Sequence, residues 1–447
     1  MTSTLDAPAF LWQAIRDDLL STPHLERAGI GFAGISQRGT NRHLLLRDWT
    51  AVPAGEYLLQ LGNHLEVSPA FWARHAKRAR SSGEALVVLH SHPHDTGIPS
   101  FSPSDDGGEA SLVPKIQARA PVPVAAVVIS PGGEQARITD PGGAAEPLTV
   151  QFAGHPQPKG QPDVSKERFD RQLRVLGKPG QRILAELTVG VVGAGGLGSH
   201  VIQQLIHLGV GRVVVIDPDH VAPSNLSRLV GATRFDAALR RPKTAVARRL
   251  SRRVGGPTQV REVRGSVTDE GPARRLLSCS LVVGCTDNQW SRTVLNAIAY
   301  QYYIPVLDLG VELQNTGAMG GRVTWLVPGS PCLWCLNILD AQRVRAEQLP
   351  PEAYKEEVAR GYLQGMDEPA PAVVSINGAI ASIAVTELLA RTTDFAGSQA
   401  RATQLMYRLS DGVIRRTSPT PRTACPTCSN SGHLGLADLG TPPWTQT

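Results

Sequence analysis

One stretch, Leu187–Arg228, constrains the fold of this chain more than any other: LTVGVVGAGGLGSHVIQQLIHLGVGRVVVIDPDHVAPSNLSR. An apolar run, Leu187–Val192, is followed by a glycine turn, Gly193, Gly195, Gly196 and Gly198, with Ala194 and Leu197 between. A helical pattern runs from about Ser199 to Leu208, and a second apolar run, Arg212–Ile216, ends on Asp217. Strand, glycine loop, helix, strand and acid form the Rossmann-like unit that grips a nucleotide. Its glycines let the backbone approach phosphate, and the helix N-terminus presents unpaired N–H groups to the anion. Asp217 stands where a ribose would be held. The fold class read from this pattern is α/β.

The 447 residues suffice for two or three domains. A net charge of +6 is dispersed rather than blocked, without aromatic interleaving, so the reading is a solvated surface and no nucleic-acid partner. Acids interrupt the first apolar stretch, so no signal peptide is expected, and no run reads as reaching transmembrane length. The expectation is a cytoplasmic protein without a membrane partner. Of six cysteines, four form two CxxC pairs, Cys332/Cys335 and Cys425/Cys428. Paired spacing of this kind builds a closed tetrahedral zinc site with a structural role.

Upstream, residues 1–152 read as a small α/β domain. Leu11–Leu20 and Pro69–Ser81 have helical spacing, and Arg27–Ile35, His43–Leu46, Ala85–Leu89 and Val122–Ile129 read as strands. The Ala85–Leu89 strand runs into His90-Ser91-His92-Pro93, and Ser102-Pro103-Ser104-Asp105 follows. Histidines at i and i+2 on a strand end point the same way, and an aspartate from the next loop completes a third ligand position. Such a set leaves a fourth position open, as hydrolytic zinc requires. Residues 130–164 are rich in Gly and Pro, with one short strand in LTVQF; the linker is placed at 153–164. A second domain occupies 165–435, with a small-residue core helix at Asn377–Arg391, a charged crossover loop over Val344–Met366 and a disordered tail at 436–447.

Two family resemblances follow. HSHP with SxxD, and Glu26 followed by the small-residue strand RAGIGFAG, resemble the JAB/MPN (JAMM) zinc metalloproteases. The resemblance implies His90, His92 and Asp105 as ligands of a catalytic Zn2+, Glu26 as general acid/base, and Ser102 as an oxyanion stabiliser. The spacing from His92 to Ser102 is two residues longer than usual in that family, which leaves Asp105 and Asp106 both open. Downstream, RxxRQ ending on Arg171-Gln172, GxGGLG, DxDxVxxSNLxR, Pro242-Lys243 and Cys285-Thr286-Asp287-Asn288 come in the order of the ThiF/MoeB/E1 adenylyltransferases, which they resemble over about residues 165–429. That resemblance implies that Gly193, Gly195, Gly196, Gly198, Asp217, Asp219, Asn225, Arg228 and Lys243 bind ATP. It also implies that Asp287 holds Mg2+, and that Arg171 reaches the γ-phosphate across a homodimer. Leu229 departs from the Gln common there, a change expected to act on packing.

The implied chain is a bifunctional bacterial enzyme of a ubiquitin-like pathway. One domain adenylates the C-terminal glycine of a ubiquitin-like or sulfur-carrier protein ending in Gly-Gly. The other cleaves (iso)peptide bonds to mature or deconjugate it. An E2-like protein or a sulfur donor would take the product. Residues 336–372 contain no cysteine, and Cys279 and Cys285 lie in or beside an apolar strand, so no thioester nucleophile is evident. The alternatives are activation of a sulfur carrier for thiocarboxylate formation, a binding module with one inactive domain, or a dinucleotide-dependent oxidoreductase.

Overall fold

A computed structural model of the chain describes residues 2–153, 167–313, 319–360, 363, 372–393, 395–397 and 402–445. It divides into two compact units. The first comprises Met1–Ala153 with Gln301–Tyr303 and Ser429–Thr441; the second holds the rest.

In the first unit the strands are β1 (Ser3–Ala7), β2 (Ala28–Arg38), β3 (Asn41–Ala51), β4 (Tyr57–Gln60), β5 (Leu65–Val67), β6 (Ala85–Ser91), β7 (Val124–Ser130), β8 (Gly133–Thr139) and β9 (Ala145–Phe152). The helices are α1 (Ala9–Leu19), α2 (Pro69–Ser82) and α3 (Pro103–Arg119). Among the described residues, seven strands close a barrel in the order β1-β3-β2-β6-β7-β8-β9, while β4 and β5 form a separate hairpin. Inside the barrel, β6 and β7 read as continuous apolar runs because both faces are covered. α1 buries Leu11, Trp12, Ile15 and Leu19, the stripe that its 3.6-residue period predicts. α2 begins where Ser68 Oγ accepts the Ala70 N–H and Pro69 fills the first turn; it ends on Gly83 at φ +74°.

The glycine- and proline-rich region after Ser130 is not a tether throughout. β8 pairs antiparallel with β7, and β9 with β8, and β9 closes the barrel against β1. Of the 153–164 linker, all but Ala153 lies outside the described residues. The tail is also packed rather than disordered. Ala437 and Trp444 are buried, and Asp438 N–H donates to the Ile35 carbonyl beside an Ile35–Ala437 bridge. Arg47, paired with Glu84 at 2.5 Å, donates Nη2 to the Asn430 carbonyl at 3.0 Å. The C-terminal segment Ser429–Thr441 therefore belongs to the first unit rather than to the domain preceding it in sequence.

In the second unit the strands are β10 (Thr188–Val192), β11 (Arg212–Ile216), β12 (Gln259–Val263), β13 (Leu281–Gly284), β14 (Val306–Leu313), β15 (Met319–Leu326), β16 (Gln404–Arg408) and β17 (Val413–Thr417). The helices are α4 (Asp170–Glu186), α5 (Gly196–Leu208), α6 (Arg234–Ala238), α7 (Lys243–Val254), α8 (Glu270–Leu276), α9 (Gln289–Gln301), α10 (Ala341–Gln348), α11 (Pro351–Ala359) and α12 (Val374–Thr392). The sheet order is β12-β11-β10-β13-β14-β15-β16-β17. The first five strands are parallel and the last three antiparallel. β10 and β13 are central, so the nucleotide loops that leave them open at one sheet end, where the strand order reverses.

α12 is long and apolar enough to cross a bilayer by length and composition, contrary to the expectation that no run reaches that size. Its buried residues Ile380, Ala381, Ala384, Val385 and Leu388 belong instead to the core with Val201 and Leu205 of α5. The described part of the Val344–Met366 crossover is mostly helical, in α10 and α11; residues 361–362 and 364–366 lie outside the described residues.

Candidate functional site

Two clusters are candidates for chemistry, one in each unit. In the first, β2 runs antiparallel to β6 with Ala28 opposite His90. Ser91 N–H donates to the Arg27 carbonyl at 2.9 Å, and Arg27 N–H to Ser91 Oγ at 3.0 Å. This double tie sets Glu26 across from the two histidines that flank Ser91. Asp105 arrives from the first turn of α3. Ser102 caps that helix: its Oγ accepts the Asp105 N–H at 3.2 Å, and its own N–H donates to Asp105 Oδ2 at 2.6 Å.

The two histidine Nε2 atoms lie 3.3 Å apart. Asp105 Oδ1 is 3.0 Å from His90 Nε2, and Oδ2 is 3.3 Å from His92 Nε2. Ligand atoms on a tetrahedral ion with bonds of about 2.0–2.1 Å are separated by about 3.3–3.4 Å. The spacing therefore fits one zinc-sized cation. Asp106 is turned away, exposed and paired with Arg137 at 2.8 Å, so the structure brings Asp105 to the histidines. Burial alone would raise the Asp105 carboxyl, but the hydrogen bonds to His90 and His92 hold it well below the usual carboxylate range. Glu26 is buried, with Oε1 3.8 Å from His92 Nε2. Burial lifts its carboxyl above its ordinary value, against the pull of the histidines. The sequence reading missed Asp95, whose Oδ2 lies 3.3 Å from His92 Nδ1 and orients that ring; an acid three residues past a ligand histidine was the available signal.

In the second unit, a cavity of about 320 Å³ opens at the ends of β10, β11 and β13. Gly193, Gly195, Asp217, Asp219, Lys243 and Asp287 line it. Gly193 adopts φ +92°, and a Cβ there would meet the Cys285 carbonyl at 2.6 Å, so only glycine makes this turn. α5 starts on Gly195 without a side-chain cap, which leaves its first-turn N–H groups available to an anion.

Asp217 is buried, with Oδ2 accepting the Ala194 N–H at 2.6 Å and Oδ1 the Asp219 N–H at 2.8 Å. It ties the glycine turn to the second strand while lining the cavity, and burial raises its carboxyl. Asp219 holds Lys243 at 2.8 Å. Asn225 and Arg228 are not part of the cavity wall. Asn225 Oδ1 accepts the Ala222 N–H, and Arg228 donates to the Ser224 carbonyl while its stem lies across Gly196. Gly196 and Gly198 lie in the first turn of α5, and Arg171 is exposed at the start of α4, away from the cavity wall.

Behind Asp287 stands a buried network that sequence reasoning did not find. Arg292 Nη1 reaches both Asp308 oxygens at 2.7 Å, and Arg322 Nη2 joins at 2.8 Å. Arg292 Nη2 also donates to the carbonyls of Thr286 and Leu309 at 2.8 and 2.9 Å. The network pins the loop that carries Asp287. Leu229 packs with Val221, Ala237 and Val246.

Cys332, Cys335, Cys425 and Cys428 converge. Their sulfurs are 3.8 Å apart (Cys332–Cys335), 3.5 Å (Cys332–Cys425) and 3.6 Å (Cys335–Cys428). A tetrahedron with Zn–S bonds of about 2.3 Å has edges of about 3.8 Å. Cys279 is pushed up to about 12 by burial, and burial also raises Cys285. Neither is an activated thiol.

A doubly wound sheet with an uncapped glycine-turn helix, an acid-and-lysine cavity and a four-cysteine cluster defines a nucleotide-binding α/β protein. The pattern of the ThiF family matches residues 169–429, and the chain belongs to that family. It is 35% identical over 177 residues to the sulfur carrier protein ThiS adenylyltransferase of Bacillus subtilis, covering 39% of this chain and 51% of that protein. It is 34% identical over 181 residues to the molybdopterin-synthase adenylyltransferase of Salmonella typhimurium, covering 40% and 70%. With the sulfur carrier protein adenylyltransferase of Thermus thermophilus it shares 30% over 273 residues, 60% of this chain and 93% of that protein. The chain thus spans about half the length of the Bacillus relative.

Proposed function

We propose that the second unit adenylates the C-terminal carboxylate of a small sulfur-carrier protein ending in Gly-Gly. The observation that carries this reading is the lysine- and aspartate-lined cavity at an uncapped helix N-terminus in a ThiF-family chain. A carboxylate oxygen attacks the α-phosphorus of ATP, the bond to pyrophosphate breaks, and an acyl-adenylate remains. Lys243 offsets phosphate charge, and Arg228, whose stem lies across Gly196 outside the cavity wall, would have to turn from the Ser224 carbonyl to join it. Asp287 is the group for Mg2+, and Arg171 would act from the partner of a homodimer. Asp217, though fixed by two N–H donors, keeps lone pairs for a ribose hydroxyl.

Sulfur transfer is favoured over protein conjugation for two reasons. The relatives carry sulfur-carrier names, and burial raises the thiols of both cysteines outside the cluster. The acyl group would therefore pass to an external sulfur donor rather than to a cysteine of this chain. The four cysteines would hold a structural Zn2+, and the setting would be the cytoplasm. The test is ATP–pyrophosphate exchange with small Gly-Gly-ending carriers. Exchange dependent on such a carrier supports the reading; absence of exchange with any of them, including one encoded beside this chain, contradicts it.

A second reading concerns the first unit: a JAB/MPN-type zinc peptidase acting on the same carrier. Its support is the placement of His90, His92 and Asp105 around one zinc-sized point with Glu26 beside them. Zinc held there would polarise a carbonyl and acidify a water. Glu26, its carboxyl raised by burial, takes a proton from the attacking water and returns it to the leaving amine. Ser102 chiefly fixes Asp105, and its hydroxyl hydrogen can face an oxyanion. Cleavage of a carrier extended beyond Gly-Gly, abolished by Glu26→Ala, is the expected result; equal cleavage by that variant would rule the peptidase out.

A further inference from the structure

A cleft of about 650 Å³ in the first unit leads away from Glu26, His90 and Asp105. Its walls are Leu65 and Val67 of the β4–β5 hairpin, Trp72 and Ala76 of α2, and Leu112 and Ile116 of α3. A Gly-Gly tail has no side chain with which to fill such walls. Along α3, Asp105, Gly108, Leu112, Lys115 and Arg119 line the cleft at alternating spacings of three and four, one continuous helix face. That face starts on the metal-ligand carboxylate and ends on two cations. Lys115 Nζ donates to Ser111 Oγ, and Arg119 Nη1 to the Lys115 carbonyl. Among the described residues neither has a carboxylate at ion-pair distance. The acids nearby are engaged: Glu109 with Arg137 at 2.8 Å and Glu66 with His64 at 3.4 Å.

We propose that this cleft is a ruler for a short C-terminal extension: apolar residues beyond the scissile bond fill it, and the free terminal carboxylate is held by Lys115 and Arg119. The proposal rests on the peptidase reading and makes the substrate an unprocessed carrier precursor rather than a conjugate. From Asp105, Lys115 is ten residues and Arg119 fourteen residues along the helix, roughly 15 and 21 Å at about 1.5 Å per residue. An extended peptide covers that distance in about four to six residues at about 3.3 Å each. The upstream side of the substrate continues into a folded carrier and has no terminal carboxylate to offer. Hydrolysis adds water across the amide: hydroxyl to the glycine carbonyl carbon, and hydrogen to the released amine of the extension.

The test uses the full-length chain loaded with zinc and a Gly-Gly carrier bearing apolar tails of one to eight residues, each as free acid and as C-terminal amide. Cleavage should peak at tails of about four to six residues, with amidation raising KM about tenfold and leaving kcat nearly unchanged, as expected for one charge-assisted contact. In Lys115→Gln/Arg119→Gln, two exposed residues at the cleft rim, the distinction between acid and amide should vanish. Binding gives a readout apart from turnover: a fluorescein-labelled apolar pentapeptide should bind about tenfold tighter as acid than as amide by anisotropy. Equal binding of acid and amide, or cleavage independent of tail length, overturns the proposal. If no carrier is cleaved while the acid still binds preferentially, the peptidase reading falls and the carboxylate site stands.

Discussion

Asp308→Asn removes one charge from the network that holds the Asp287 loop. Asp308 is 1% exposed and receives three short hydrogen bonds from Arg292 and Arg322. The substitution leaves two guanidinium groups facing a neutral amide, and at least one amide N–H points at an N–H donor. Breaking one member of a buried charge network costs about 3–5 kcal/mol. At about 2–4 °C per kcal/mol for a domain of this size, the melting transition of the second unit should fall by roughly 10 °C. Function should suffer as well, because Arg292 is the donor to the Thr286 carbonyl. A loosened Thr286–Asp287 segment should raise KM for ATP in pyrophosphate exchange at temperatures where the variant is still folded. Arg292→Lys is the companion: it keeps the charge but cannot serve Asp308, Thr286 and Leu309 together, and should affect exchange more than melting. Calorimetry with exchange kinetics decides. An unchanged melting temperature together with an unchanged KM for Asp308→Asn would refute the view that this network supports the site.

Three further outcomes are expected. Metal analysis of the full chain should find two equivalents of zinc; Cys428→Ser should lose one and lower stability, while His92→Ala should lose the other and leave pyrophosphate exchange intact. Leu229→Gln should lower stability by about 1–3 kcal/mol, the cost of burying an amide among Val221, Ala237 and Val246, with little change in KM for ATP. Asp236 is held below its ordinary value, foremost by the Arg249 hydrogen bond. A depressed carboxylate stabilises the fold above the unfolded pKa, about 3.9, and that contribution is lost as pH falls toward the folded value. Melting temperature followed from pH 7 to pH 3 should therefore drop more steeply below about pH 4 for the natural chain than for Asp236→Asn.

The parts of the sites that were legible in the sequence are those whose geometry follows from spacing. HxH on a strand end fixes two side chains on one face, and CxxC pairs 93 positions apart meet because each pair is locally a half-site. The glycine turn was legible because Gly193 must take a backbone conformation closed to other residues. What was not legible depends on partners distant in the chain. The Arg292–Asp308–Arg322 network assembles from a helix and two strands. The C-terminal segment Ser429–Thr441 is anchored by Arg47, nearly four hundred residues upstream, and its leucines, Leu434, Leu436 and Leu439, hold neither a helix nor a strand period. β8 escaped notice because only Ala136 and Ile138 of its seven residues are buried, and Gly132 and Gly133 precede them. Asn225 and Arg228 close local turns, and Arg228 also lies against the glycine loop.

The proposed function gives the chain two separable active sites, one activating a carboxylate and the other exposing it. ATP–pyrophosphate exchange and precursor cleavage, measured side by side on Asp287→Ala and Glu26→Ala, test it most directly. The account predicts that Asp287→Ala abolishes exchange and spares cleavage, and that Glu26→Ala does the reverse. Loss of both activities in either variant, with the fold intact, would contradict it.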